Sequence, residues 1–304
     1  PSHTPVFFDY VTNYNRFDYF NSYSDPFYDD MRPYYLIQNE VNFKGDLGIP
    51  VSINSVLKGG IGYTIKKDEY FQVTNYKKED KTDITHFNFF NINFKYDQNT
   101  LNITQYPTDG KRILVKLNYF IGREKNYPGS TSLVKDNYFK NRNWLNLNLI
   151  YDRYFCLNSM LNLGLYAEGN VSNQPFFNNY FSTMANLPSF QPIPQSNCLL
   201  MENYRAKNFA GVGIKPIFKF SSFCHIRMEE YIFQPFRIIK QDENFKAISS
   251  NGFKHHYFIS SASLVFPTSF GPLSLSFNYF DKQNKKYYFL FNFGYILFNE
   301  RSTN

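Results

Sequence analysis

The chain has 304 residues, a net charge of +7 and 20% aromatic residues, supplied almost wholly by 35 Phe and 26 Tyr. So many aromatics exclude a disordered chain, and the longest apolar run, Tyr287 to Phe291, falls far short of the roughly 20 residues a membrane-crossing helix needs. Lys and Arg are scattered and form no stripe, which argues against a nucleic-acid partner despite a pI near 9.0.

Helical periodicity is nearly absent, and period-two alternation runs through most of the chain. It predicts about a dozen strands, near residues 5–12, 34–45, 55–66, 85–97, 110–122, 143–155, 159–172, 207–220, 222–236, 255–267, 271–281 and 285–298. In the fourth of these, Phe90, Ile92, Phe94 and Tyr96 alternate with Asn91, Asn93, Lys95 and Asp97. In the sixth, Leu145, Leu147, Leu149 and Tyr151 oppose Asn146, Asn148 and Asp152. Each strand therefore has one apolar and one polar face.

Most of these segments run about 10 to 14 residues, enough to cross a bilayer at a tilt, whereas strands in soluble sandwiches are nearer 5 or 6. Short connections at 156–159, 221–222 and 267–271 alternate with long ones at 13–33, 67–84, 123–142, 173–206 and 237–254. Only 98–109 and 281–285 blur the pattern. Tight turns at one end and long loops at the other are the signature of an outer-membrane barrel. The fold expected is an all-β, transmembrane, antiparallel β-barrel with about 12 strands visible, forming one domain over 1–304. Tyr96, Tyr119, Tyr151, Tyr279 and Tyr295 would supply an interfacial girdle. The alternative, a large soluble all-β domain, would require a very large apolar core.

Connection 173–206 is too long to be a plain linker, and its aromatics argue against disorder. It is expected to fold back into the barrel mouth, with a short helix within Phe176 to Ala185. After it, His225, Arg227, Glu229 and Tyr231 share one strand face. Arg205, at the loop's end, could reach inward to Glu229 and pin the loop, or could be a plain surface charge.

Signals of chemistry are sparse. No G-x-S-x-G elbow, phosphate loop or zinc spacing occurs. Cys156, Cys198 and Cys224 form neither a metal nor a disulfide pattern. His3 and His86 stand alone, and His255-His256 reads as a solvated pair with metal binding as the alternative. His225 with Glu229 lacks a partnered Ser. No catalytic residue, metal or cofactor is expected in this chain. It opens on Pro1 without a Met or signal peptide, which suggests a mature chain or a fragment.

The runs YRAKNFAGVGIKPIF (Tyr204 to Phe218), HIRMEEYIFQPF (His225 to Phe236) and GPLSLSFNYFDKQNKKYYFLFNFGYILFN (Gly271 to Asn299) resemble one group. These are the C-terminal barrels of patatin-like phospholipase proteins of Bacteroidetes-type bacteria. They belong to the bacterial surface-antigen superfamily, which includes barrel-assembly and two-partner-secretion transporters. The resemblance implies a 16-stranded barrel, with upstream strands, accessory periplasmic modules and a patatin-like lipid hydrolase outside this chain. It also implies a loop-to-lumen lock of Tyr204, Arg205, Arg227 and Glu229, although Ala206 stands where the superfamily has Gly. YPTDGKR (Tyr106 to Arg112) resembles its periplasmic turn, and Asn292, Gly294 and Phe298 its terminal assembly signal. The function implied is an outer-membrane barrel that anchors or translocates a passenger. The alternatives are a non-enzymatic subunit of an assembly or transport complex, or a passive pore. The partners implied are outer-membrane lipid and lipopolysaccharide, the barrel-assembly machinery and other outer-membrane proteins.

Overall fold

The computed structural model describes residues 5–20, 34–73, 76–77, 79–221, 223–283, 286–295 and 301–302. His3, Phe298 and most of the 13–33 connection lie outside these described residues.

The alternation becomes strands in the order expected. They are β1 (Phe7–Phe20), β2 (Tyr34–Ser52), β3 (Ser55–Tyr70), β4 (Asp83–Asn99), β5 (Gly110–Tyr127), β6 (Tyr138–Cys156) and β7 (Leu161–Ser172). A helix, α1 (Tyr180–Asn186), and β8 (Phe209–Ser221) follow. The chain continues with β9 (Cys224–Pro235), β10 (Ile239–Gln241), β11 (Ala247–Ser249), β12 (Tyr257–Phe266), β13 (Leu273–Phe280) and β14 (Tyr287–Phe293). Twelve of them form one antiparallel sheet in chain order, and β10 with β11 makes a separate hairpin. Short connections such as 53–54 and 157–160 therefore gather at one end, and 128–137, 173–208 and 236–256 at the other.

Several boundaries differ from the sequence reading, those of β1 and β2 the most. β1 runs on to Phe20, and β2 continues through Gly45, Gly48 and Pro50 to a tight turn before Ser55. Those residues interrupt the alternation, but β2 is paired on both sides, and its ladders to β1 and β3 carry the strand through them. The β10–β11 hairpin had no period-two signal of its own. Ile239 and Ala247 pack against Tyr180, Met184 and Leu187 of the α1 region, so the partner that orders the hairpin is distant in sequence.

The sheet's two faces invert the soluble pattern. Phe90 is 60% exposed and Ile92 53%, while the alternating Asn91 and Asn93 are each 6% exposed. The same holds on β13, where Leu275 and Phe277 face out and Ser274, Ser276 and Asn278 are buried. The sheet curls so that its polar face encloses the 173–208 segment, which bonds to β2, β3, β5 and the carbonyls of Phe258 and Asp281. Beyond β14, Arg301 stacks on Phe17 and Tyr19 of β1, and Ser302 donates to Glu40 of β2. Among the described residues no helix is long and apolar enough to cross a membrane.

Candidate functional site: a segment held inside the curled sheet

Helix α1 has seven residues, too few to persist alone in water. Its start is legible locally. The Asn179 side chain accepts from the Ser182 N–H, and the Ser182 hydroxyl accepts from the Asn179 N–H, a reciprocal capping box. The helix expected within 176–185 thus begins later, at the residue after this cap.

Packing supplies what length does not. Lys66 of β3 donates to Asn186 Oδ1 at 2.9 Å and to the Ala185 carbonyl at 3.4 Å. Asn186 donates in turn to Asp68, and Gln38 of β2 to both Asp68 and the Ala185 carbonyl. On the other side, Glu124 of β5 accepts the Asn178 N–H at 2.7 Å and is held by Arg142 of β6 at 2.6 Å. Phe177 caps the ring cluster of Phe87, Phe89, Phe120 and Trp144.

The Pro-rich half seats on the opposite wall. Phe190 stacks on Phe233 with ring centroids 5.4 Å apart. It fits because Gly211 of β8 lacks a side chain: a Cβ there would stand 2.1 Å from the Phe190 ring. Tyr204 is wholly buried, and its hydroxyl lies within hydrogen-bonding distance of the Phe258 and Asp281 carbonyls, at 2.6 and 2.8 Å. Burial first, and the Asp281 charge second, raise the pKa of this hydroxyl. Tyr180, which donates to Glu202 at 3.0 Å, is raised by burial and then by that carboxylate. Lys207 lies 3.7 Å from the Phe176 ring, and burial lowers its pKa.

The four residues expected to form the lock are divided between two sites. Arg205 is 3% exposed, so it is not a surface charge, and its Nη1 donates to the carbonyls of Met184 and Leu187, each at 3.0 Å. The expected Arg205–Glu229 pair is not among the described contacts. Arg205 instead ties the loop to itself, at the carbonyl end of α1 where the helix dipole favours a cation. Glu229 is bonded by Arg227 on its own strand and accepts the Tyr231 hydroxyl at 2.7 Å.

Arg227 reaches a segment that the sequence reading did not link to it. Its Nη1 donates to the Pro107 carbonyl and its Nη2 to the Tyr154 hydroxyl, both at 2.6 Å. Tyr154 also accepts from Lys215, which is held by Asp152 at 2.8 Å. Asn162 donates to the Thr108 carbonyl, and the Tyr106 and Ser274 hydroxyls lie 3.0 Å apart. The long turn 100–109 is thereby drawn across the interior at the end opposite the 173–208 segment. The hint was its length, since a bare turn needs only a few residues.

Asn292 lies on β14, and Gly294 follows it with a φ of 90°. Phe298 lies outside the described residues. Among the described residues no three metal-ligating side chains gather at one point. His225 is buried on the inner face of β9, and His255 and His256 lie just before β12.

Neither a protein-family model nor a curated protein matches the chain. Among solved structures it is similar to BamA from Haemophilus ducreyi lacking POTRA domains 1-3, with a TM-score of 0.52 and 16% identity. That match covers 93% of this chain and 58% of the BamA chain, so the chain spans a little over half of that structure. A second match is the beta domain of the Bordetella autotransporter BrkA, with a TM-score of 0.37 and 10% identity, covering 94% of this chain and 96% of that one. The BamA likeness shows a shared all-β barrel fold.

Proposed function

We propose that this chain is an outer-membrane β-barrel of the surface-antigen superfamily that anchors or translocates a surface or periplasmic passenger. The carrying observation is the inverted sheet: apolar rows outward, polar rows inward, and an ordered segment held against the polar face. In water such an outer face would favour aggregation, whereas in lipid it is solvated by acyl chains. The barrel fold shared with BamA supports the reading. Outer-membrane lipid and lipopolysaccharide would surround the outer face, and the barrel-assembly machinery would insert it.

The 173–208 segment and the 100–109 turn close the interior from opposite ends, so the resting barrel conducts little. The chain contributes closure and passage rather than chemistry; a lipid hydrolase, where present, belongs to a patatin-like segment of a longer parent. In a planar bilayer, replacing 176–204 by a short Gly/Ser linker raises single-channel conductance several-fold. Equal conductance of the two forms overturns the closed-barrel reading. Identical gel migration before and after boiling, with helical circular dichroism, overturns the barrel itself.

A further inference from the structure

The outward rows of β1–β6 end, on the side of the long loops, in a band of charge that closure of the barrel does not use. One cross-strand row there runs Arg16, Asn39, Lys67, His86, Lys125 and Phe139, each directly opposite the next. Arg123 lies in the row beneath, between Asn88 and Asn141. The row below that is apolar, with Phe43, Tyr63, Phe90 and Ile121. Charge therefore gives way to apolar surface within two rows, as a lipid headgroup gives way to its acyl chains.

Carboxylates offset only part of this band. Arg16 is paired with Asp18 at 3.2 Å, and Lys67 with Glu69 at 2.6 Å. The outward residues around Lys125 are His86, Arg123, Tyr127 and Phe139, with no carboxylate among them. The excess positive charge is thus centred on Arg123 and Lys125, and a frame of rings surrounds it. Arg123 lies over the Phe139 ring, 5.8 Å from its centroid. Tyr127 meets the rings of His86 and Phe139 edge-on, at 5.9 and 6.1 Å. A guanidinium stacked on a ring engages through its face, so its in-plane N–H donors remain directed away from that ring. The facing wall has no such band. On the outward rows of β8, β9, β12, β13 and β14, Glu230 is the charged side chain among the described residues.

We infer that Arg123 and Lys125, with Lys67 at their edge, bind the phosphorylated headgroup of an outer-leaflet glycolipid of the lipopolysaccharide class. This rests on the outer-membrane reading above, in which the long loops face outside and the band meets the outer leaflet. Lysine meets a phosphate as a point charge, and arginine adds paired donors. Adjacent strands lie about 4.8 Å apart, and residues two apart along a strand about 7 Å. The three cations therefore surround a patch about 10 Å across, the scale of one headgroup. The exposed Phe90, Ile92 and Ile121 lie just below it for the acyl chains.

The test is titration of the purified full chain, in neutral detergent at low ionic strength, with fluorescent bis-phosphorylated lipid A, read by anisotropy. Binding is expected, about tenfold weaker in the Arg123→Gln/Lys125→Gln double variant, since bonds to charged groups carry that much affinity. Lipid A stripped of its phosphates should bind the wild type more weakly as well. Lys240→Gln/Lys246→Gln, which removes the same charge from the β10–β11 hairpin, should leave binding unchanged. If the rim double variant loses its shift in gel migration on boiling, Lys125→Gln alone takes its place and should weaken binding in the same direction. Equal binding by wild type and rim variants, an equal loss in the hairpin variant, or equal binding of the dephosphorylated lipid overturns the inference. So does no binding by a wild type that still shifts on boiling, an outcome that leaves the barrel standing. A wild type without that shift overturns the outer-membrane reading itself, and the site with it.

Discussion

Strands β1 to β6 run 14 to 19 residues, whereas β12, β13 and β14 run 10, 8 and 7. A tilted strand crosses a bilayer in about 9 to 11 residues, so the first wall is longer than the crossing requires and the last is not. The surplus lies at the loop end, where Arg16, Asp18, Lys67, Glu69, Arg123 and Lys125 alternate outward beyond the apolar rows. On the outward rows of β8, β9, β12, β13 and β14, Glu230 is the charged side chain among the described residues, and its carboxylate accepts the Ser260 hydroxyl at 2.5 Å. The inner faces differ as well. β2–β6 grip the α1 region through buried charges such as Lys66, Asp68, Glu124 and Arg142, while β12 and β13 line the interior with Ser261, Ser263, Ser274, Ser276 and Asn278. A charged wall holds a polar segment strongly but tolerates no missing partner; a hydroxyl wall holds little and tolerates much.

The sharpest break of this comparison is Arg142→Ala. It leaves Glu124 buried without its cation, and the expected loss is about 3–5 kcal/mol, read by urea unfolding in detergent. The Asn178 N–H rests on the same carboxylate, so a rise in conductance should accompany the loss. Stability within error of wild type would show that the charged wall is not what holds the segment. A smaller effect separates rim from membrane band. Phe277→Lys on the outer row of β13 should cost about 2–4 kcal/mol near the midplane, while Lys67→Leu on the rim of β3 should leave unfolding unchanged. Equal costs would erase the distinction between long and short strands. The smallest effect is on the hydroxyl wall, where Ser263→Ala removes one bond to Ser276, 2.9 Å long. A loss of about 1 kcal/mol or less is expected in the same unfolding assay, and a loss as large as that of Arg142→Ala would make the two walls energetically alike.

The faces of these walls were legible before any tertiary contact was known. Leu145 and Asn146, or Phe277 and Ser276, take opposite faces because successive strand residues must, and which face meets lipid follows from their chemistry. The helix inside 173–206 was partly legible too, since Asn179 and Ser182 form their own cap. The partner of Arg205 was not. Spacing suggested Glu229, whereas the Met184 and Leu187 carbonyls that Arg205 meets carry no sequence signature. Arg227 was placed on the correct face, but its acceptor, the Pro107 carbonyl, lies 120 residues away.

The number of strands in the main sheet, their faces and the alternation of turns with loops were determined by the sequence alone, because period two and turn length are local properties of the chain. Tertiary structure decided the depth of the 173–208 segment, the latch of Arg227 on the 100–109 turn and the row of Lys67, His86 and Lys125. Each of these depends on the register between strands or on chain segments far apart in sequence. A shift of two residues in register would preserve every face and move every one of these partners.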